Sequence, residues 1–489
     1  MKSKRFSSNL GLLSVFLPLF VVCNEVRAAT LIWDGTGAGN ANWSTKQNWG
    51  SGPGSGFAQD DFLIFGGNLR LTNTNNVTAG TNLIGITFNN TAGAFVLAGN
   101  SVTLGGNITN NDADLQTINL PLILSGSRTF DAVSGNLAVG GVISESSVGV
   151  GALVKSGSNT LTLSGANTYT GLTTVSNGIL LLSGSGTLGA ATGAVTVSGG
   201  TLNLGGLTRT RTGTITLSGG AINNGTLTNN GSAYDVRSGS ASAILGGSAG
   251  LTKTTAGTVT LSGTNTYSGA TAVNAGGKLT IASTGTINGT SGITITGGEL
   301  NYNSATALSQ AISFSGTGGT LSGSGTITPA VAITNGNTYT AGELGAAGTQ
   351  ALSGGITFNG GSIFSWDLSA GLTDPGANTA NSGSYDRVTG AAAGTGAIFR
   401  IISRDSFATA FWNTNKSWNN IFTSGSLSSI FSTISGSGIV WNGSRGNVAD
   451  RGSFTISGST LAWSAIPEPT SALTGILLGL GLMRRRRTA

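Results

Sequence analysis

From about residue 70 onward, apolar and polar residues alternate in short runs. Leu161-Thr162-Leu163, Val195-Thr196-Val197, Ile215-Thr216-Leu217, Val259-Thr260-Leu261 and Ile293-Thr294-Ile295 all read apolar–polar–apolar. Successive side chains of a strand point to opposite faces, so each run predicts a short strand with one face buried. The runs end in Ser164-Gly165, Ser198-Gly199-Gly200, Ser218-Gly219-Gly220, Ser262-Gly263 and Gly297-Gly298. Such residues favour turns, and glycine tolerates positive φ there.

The pattern repeats on two scales. VTVSGGTLNL at residues 195–204 returns as ITLSGGAINN at residues 215–224, a shift of 20. That period suits one coil of a β-solenoid. KSGSNTLTLSGANTYTGLTTV at residues 155–175 returns as KTTAGTVTLSGTNTYSGATAV at residues 253–273, a shift of 98. The expected fold is all-β: a parallel β-helix or β-solenoid whose coils bury Leu, Val and Ile against one another. Threonine then faces outward. Asn167 and Asn265 are expected to bond backbone at coil corners, with Tyr169 and Tyr267 packed over those corners. The tyrosines have sugar stacking as their functional alternative.

Tryptophan is confined to the ends: Trp33, Trp43 and Trp49, then Trp366, Trp412, Trp418, Trp441 and Trp463. Terminal coils expose apolar edges and need covering. The expected division is an N-terminal cap at 29–70, the solenoid at 71–369 with its repeats at 153–180 and 251–279, and a separate β-rich segment at 370–465. Within the last, strands are expected at residues 399–402, 439–441 and 454–456, and some helix within 406–422.

The two termini carry signals of another kind. Lys2, Lys4 and Arg5 precede an apolar run at residues 10–22, and Val26, Arg27 and Ala28 supply the cleavage positions of a secretory signal peptide. Cys23 does not make this a lipoprotein leader, because Val22 stands where a small residue is required. At the other end, Pro467, Glu468 and Pro469 precede an apolar run at residues 470–483, then Arg484, Arg485, Arg486 and Arg487. A helix over that run would be about 21 Å long, against about 30 Å for a hydrocarbon core. It is a marginal anchor but a serviceable transient stop, with its arginines at the cytoplasmic face.

These ends hold eight of the 23 basic residues and two of the 17 acidic ones. The body between them, residues 29–466, is therefore neutral despite a formal charge of +6, and it lacks the clustered basic excess of a nucleic-acid binder. The single cysteine lies in the leader, so no disulfide is expected in the mature chain. The absence of histidine excludes Ser-His and Cys-His nucleophiles and His metal ligation.

Carboxylates are sparse. Asp60 and Asp61 are neighbours and point apart; Asp34 is read as a cap-turn residue. Asp112 and Asp114 could share a Ca²⁺, but six or more oxygens are needed and no matching glycine-aspartate repeat accompanies them. Tyr385-Asp386-Arg387 reads as the end of an outer coil, and Gly246-Gly247 joins no strand to a helix. No catalytic residue, cofactor site or metal site is expected, and the chain reads as a non-enzyme.

The residues at 155–180, with their lysine, LTLSG strand-turn, NTYTG element and Gly178, resemble the autotransporter-associated β-strand repeat, as does the second copy. Trp33-Asp34-Gly35, Trp43-Ser44 and Asn48-Trp49 resemble the opening of proteins built from such repeats. The tail at 466–489 resembles the PEP-CTERM sorting signal, which implies an exosortase-type sorting enzyme as partner and extracellular polysaccharide as surroundings. A classical autotransporter ends in a membrane β-barrel; this chain ends in arginines. Together these readings imply an exported structural or adhesive protein of the cell surface or extracellular matrix, in contact with the membrane at least transiently through its tail. Two alternatives share the fold: a polysaccharide-degrading β-helix enzyme, and a carbohydrate- or ice-binding module using outward rows such as Thr160, Thr162, Thr258 and Thr260.

Overall fold

The computed structural model describes residues 28–37, 39–50, 57–274, 276–368, 385–403, 407 and 410–466. Nearly all of them build a parallel β-solenoid of about 14 turns. With rungs roughly 4.8 Å apart, that is a rod about 65 Å long. Two long ladders form its sides. The first runs from Thr30–Trp33 to Ile312–Phe314. The second starts at Thr72–Asn75 and ends at Phe431–Gly436, each strand pairing in parallel only with the one before and the one after. A short third side is made by Thr208–Arg211, Thr226–Asn229 and Ile244–Gly246.

Sequence alternation sets these ladders directly. Leu161, Leu180, Leu202, Ile222, Ala241, Leu261, Ile281 and Tyr302 stack in register as one inward column, all buried. A one-residue slip of any rung would turn its column member to solvent, so burial enforces the register. The 20-residue repeat is one rung, with Val195 opposite Ile215. The 98-residue repeat is five rungs: Lys155, Val175, Val197, Leu217, Val236 and Lys253 follow one another in a single column. Glycine is indispensable where coils meet at corners. Gly178 has φ +60°, and a Cβ there would lie 2.4 Å from the carbonyl oxygens of Asn159 and Gly157.

The first rung is closed from outside. Thr30–Trp33 pairs in parallel with Asp61–Gly67 on one edge and antiparallel with Trp49–Gly50 on the other. Trp43 N–H donates to the Thr74 carbonyl and Thr74 N–H to that of Ala41, covering the open edge of Thr72–Asn75. Trp33, Trp43, Trp49 and Phe65 interlock beneath, with Trp33 and Trp49 edge-on at 5.0 Å. Asp34 accepts from the backbone and hydroxyl of Thr36, shaping the turn above them.

Beyond residue 370 the chain does two things. Arg387–Gly394, Ala397–Ser403, Phe422–Ser424 and Phe431–Gly436 carry parallel pairing onward. Lys416–Trp418, Val440–Trp441, Gly446–Val448, Gly452–Ser457 and Thr460–Ala465 form an antiparallel sheet. The last coils are long, with Ile363 opposite Ile398 and Phe399 opposite Ile434, 35 residues apart each time. Among the described residues of 406–422, the expected helix is one 3-10 turn, Ala410–Asn413, before the strand at Lys416–Trp418. Tertiary packing outweighs local propensity there: Trp412 and Trp418 are both drawn under the antiparallel sheet, against Trp463 and Phe454. The apolar tail, expected as a short helix, lies outside the described residues. Among the described residues no helix is long and apolar enough to cross a membrane.

Candidate functional site

The two sequence repeats become one construction made twice. Lys155 faces inward and is buried, but its Nζ reaches the coil corner and donates to the carbonyls of Ser156 at 2.5 Å, Gly157 at 2.8 Å and Asn177 at 3.1 Å. Asn177 belongs to the next coil, so the ammonium ties two coils together. Burial pulls this amine down to about 8, against a small opposing pull from Asp131. Lys253 is likewise buried and donates to the Thr255 carbonyl; burial lowers it too, against Asp235.

The asparagines span coils in the same way. Asn167 accepts from Ile143 N–H at 2.8 Å and donates to the Thr187 carbonyl at 2.8 Å. Asn265 does the same between Leu245 and Thr286. Tyr169 and Tyr267 are fully buried, their hydroxyls against Thr173 at 2.7 Å and Thr271 at 2.9 Å. Burial pushes the Tyr169 phenol up to about 12. Buried rings cannot stack on a sugar, so the corner-packing role is the one they fill.

Between the strands Ile143–Glu145 and Ala152–Ser156 the coil bulges outward, and Glu145 clamps this bulge. Its carboxylate accepts from Thr170 Oγ1 at 2.6 Å, Thr170 N–H at 3.1 Å and Gly151 N–H at 2.9 Å. Partial burial pushes the carboxyl up, but the donors from Thr170, Gly151 and Gly149 outweigh it and hold it below the usual range. A carboxyl held low in the fold stabilises above the ordinary glutamate pKa, and that stabilisation is lost as pH falls through the held-down value. Acidification is therefore expected to lower amide protection, relative to the intrinsic exchange rate at each pH, at residues 146–151 in the native chain, while Glu145→Gln lowers it at neutral pH and flattens the acid response.

Other carboxylates serve turns. Asp61 is buried and accepts from the N–H groups of Ala29 and Ala58, whereas Asp60 takes φ +67° and faces Asn82. Asp112 accepts from Asp114 N–H in a local turn. Among the described residues no group of three or more acidic, His or Cys side chains is placed to hold a metal. One pairing was not legible beforehand: Asp367 and Asp386 are both buried, on either side of Thr340. Asp367 gave no signal because it sits in an otherwise apolar strand, IFSWDL.

The sides of the rod are rich in hydroxyls and amides. On the first ladder Thr174, Thr196, Thr216, Asp235, Thr252, Ala272, Thr294 and Ser313 follow in register. Asp235 and Ala272 interrupt that row. On the second ladder Thr162 stands between Ala138 and Leu181. The array is too irregular to match an ice lattice. No Phe or Tyr is exposed among the described residues, nor any Trp whose burial is defined there. A shallow hollow of about 390 Å³ beside the first rungs is lined by Phe57, Gln59, Val77, Thr78 and Thr81, with no acid or base. Of the sorting and cleavage residues, only Ala28 is described, and it is exposed. Val26, Arg27, Pro467, Glu468, Pro469 and Arg484, Arg485, Arg486 and Arg487 lie outside the described residues.

Residues 153–182 and 251–281 each match the passenger-associated transport repeat, so the lysine, asparagine and tyrosine clamps fall inside a recognised repeat family. Over 304 residues, 58% of its length, the chain is 28% identical to the adhesin BmaC autotransporter of Brucella suis biovar 1 (strain 1330). It spans 7% of that adhesin's length. No solved structure matches the chain. The relative is named as an adhesin, and the repeat as passenger-associated.

Proposed function

We propose that this is an exported surface protein whose rod displays an adhesive or structural face, as a passenger-type solenoid does. The observation that carries the reading is the pair of matched repeats, set five rungs apart in one column. Their clamps stiffen a rod with hydroxyl-rich sides and no catalytic cluster among the described residues. A long, sparsely charged, hydroxyl- and amide-bearing face suits many weak contacts with a hydrated polysaccharide or a neighbouring surface.

The sorting route belongs to the same proposal. The Pro467-Glu468-Pro469 motif, the apolar run and the four arginines resemble a signal processed by an exosortase-type enzyme. On this reading the rod is held briefly at the membrane and then released to the cell surface or extracellular matrix. Mapping the C-terminal peptide of the native protein by mass spectrometry, in membrane, medium and matrix fractions, tests it. Matrix and medium forms are expected to end near residues 467–470. A form that keeps its arginines and stays in the membrane fraction would make the tail an anchor and remove the sorting enzyme from the scheme. The adhesive role is tested separately, by comparing retention of the released rod on matrix polysaccharide and on bare cells. Equal loss from both on washing would leave a purely structural role.

A further inference from the structure

The chain holds seven Asn-Gly pairs, and one of them sits at the Lys155 clamp. There Gly178 N–H donates to Oδ1 of the preceding Asn177 at 2.8 Å. The glycine nitrogen is thus held against the side-chain carbonyl whose carbon, Cγ, it would attack to close a cyclic imide. Glycine has no Cβ to hinder that approach. The other asparagines are engaged differently. Asn230, Asn288 and Asn442 accept from the N–H groups of Ser248, Ser309 and Ser444, and Asn224 donates to Asn203. Among the described residues no other Asn-Gly pair brings the glycine N–H to the preceding side chain.

Closure requires the Gly178 nitrogen to lose its proton, and the negative charge then spreads onto the carbonyl oxygen of Asn177. That same oxygen accepts from Lys155 Nζ at 3.1 Å. A cation already in place where charge develops lowers the barrier, as an oxyanion hole does. Burial pulls the Lys155 amine down to about 8, so most of it still carries its proton at neutral pH. Asn177 is exposed, and water reaches the bond.

We propose that the Asn177–Gly178 linkage modifies itself, closing to an imide with loss of ammonia and then reopening at the carbonyl held by Lys155. In the first step the bond from Gly178 N to Cγ forms and that from Cγ to Nδ2 breaks. The leaving nitrogen takes a proton from solvent, and the proton from Gly178 N passes to solvent. In the second step water attacks the Asn177 backbone carbonyl carbon and breaks its bond to Gly178 N. The main chain then runs through Cγ as an isoaspartyl linkage, and the former backbone carbonyl is a free carboxylate. The Lys155 ammonium already points at that group, so a neutral contact becomes a charge-assisted one. The second repeat supplies no such bond: Ala275 stands at the place of Asn177, and Lys253 donates to the Thr255 carbonyl.

The test is peptide mapping of the full chain by mass spectrometry after prolonged incubation at neutral pH, with isoaspartate assigned from electron-transfer fragment ions. Conversion of Asn177 is expected to run about tenfold ahead of the other Asn-Gly asparagines in the same digest. Guanidinium keeps every local sequence but removes the Lys155 contact, so the lead should vanish in the unfolded chain. Lys155→Met should slow conversion by about fivefold, even though it loosens the corner. Equal conversion of all the pairs in the folded native chain would overturn the proposal, whether or not the variant folds. So would a lead that survives guanidinium, because its cause would then be local sequence. Faster conversion in Lys155→Met would overturn the part given to the ammonium. Aspartate without isoaspartate at residue 177 would overturn reopening at the carbonyl that Lys155 holds.

Discussion

Lys155→Met is expected to destabilise the native chain by about 1–3 kcal/mol, because it removes the ammonium that three carbonyls share. The carbonyls belong to half-buried Ser156 and Gly157 and to exposed Asn177, so the cost is that of one stranded acceptor rather than three. Methionine keeps most of the apolar stem, so lost packing contributes little. The measurement is guanidinium unfolding followed by site-resolved amide exchange, with the fastest new exchange expected at residues 155–178, where the tied carbonyls lie. Lys253→Met should act in the same direction. The two lysines stand five rungs apart and share no partner, so the double variant should be additive to within about 0.5 kcal/mol. A near-zero cost for Lys155→Met would mean that water replaces the ammonium at the corner, and the lysine would then not be a clamp.

Trp43→Ala is expected to cost about 3–5 kcal/mol and, unlike the lysine change, to alter assembly. Trp43 is fully buried, packs against Trp49 and Phe65, and donates Nε1–H to Asn73 Oδ1 at 2.7 Å. The same residue covers the outer edge of Thr72–Asn75 through its backbone. Loosening it uncovers a strand edge on a stiff rod, the arrangement most prone to strand addition by a second chain. Sedimentation should show concentration-dependent association for Trp43→Ala and none for Trp43→Phe, which keeps a ring in the same space. Destabilisation without association would show that the backbone bonds of Ala41 and Trp43 keep the Thr72–Asn75 edge covered without the indole.

The two changes probe parts of the molecule that differed in legibility. Rungs such as Val195–Val197 and Ile215–Leu217 could be read from the chain because a buried column needs an apolar residue at every second position, and the coil length there is nearly constant. The clamps were half legible. Asn167 and Tyr169 stood out by repetition, and corner roles followed from their type. Lys155 repeated just as clearly, yet nothing local says that a lysine will turn inward. Its position depends on carbonyls contributed by the next coil.

The C-terminal end was the least legible. Coils of 35 residues hide the period, and tryptophans that cap look the same in sequence as tryptophans that line a separate domain. Trp366 and Trp418 meet at 5.2 Å although one belongs to a parallel rung and the other to the antiparallel sheet. The pairing of Asp367 with Asp386 is likewise invisible, because 19 residues and a change of ladder separate them.

The chain by itself determined the all-β class, the alternation of faces, the 20-residue coil and the absence of histidine or disulfide chemistry. These follow from short-range composition and period, which act wherever the chain is placed. Only the tertiary structure decided which rungs stack, that five of them separate the two lysines, how Trp43 and Trp49 seal the first edge, and where two acids share Thr340. Each of these depends on contacts between residues far apart in sequence, and such contacts exist only once the coils have closed upon one another.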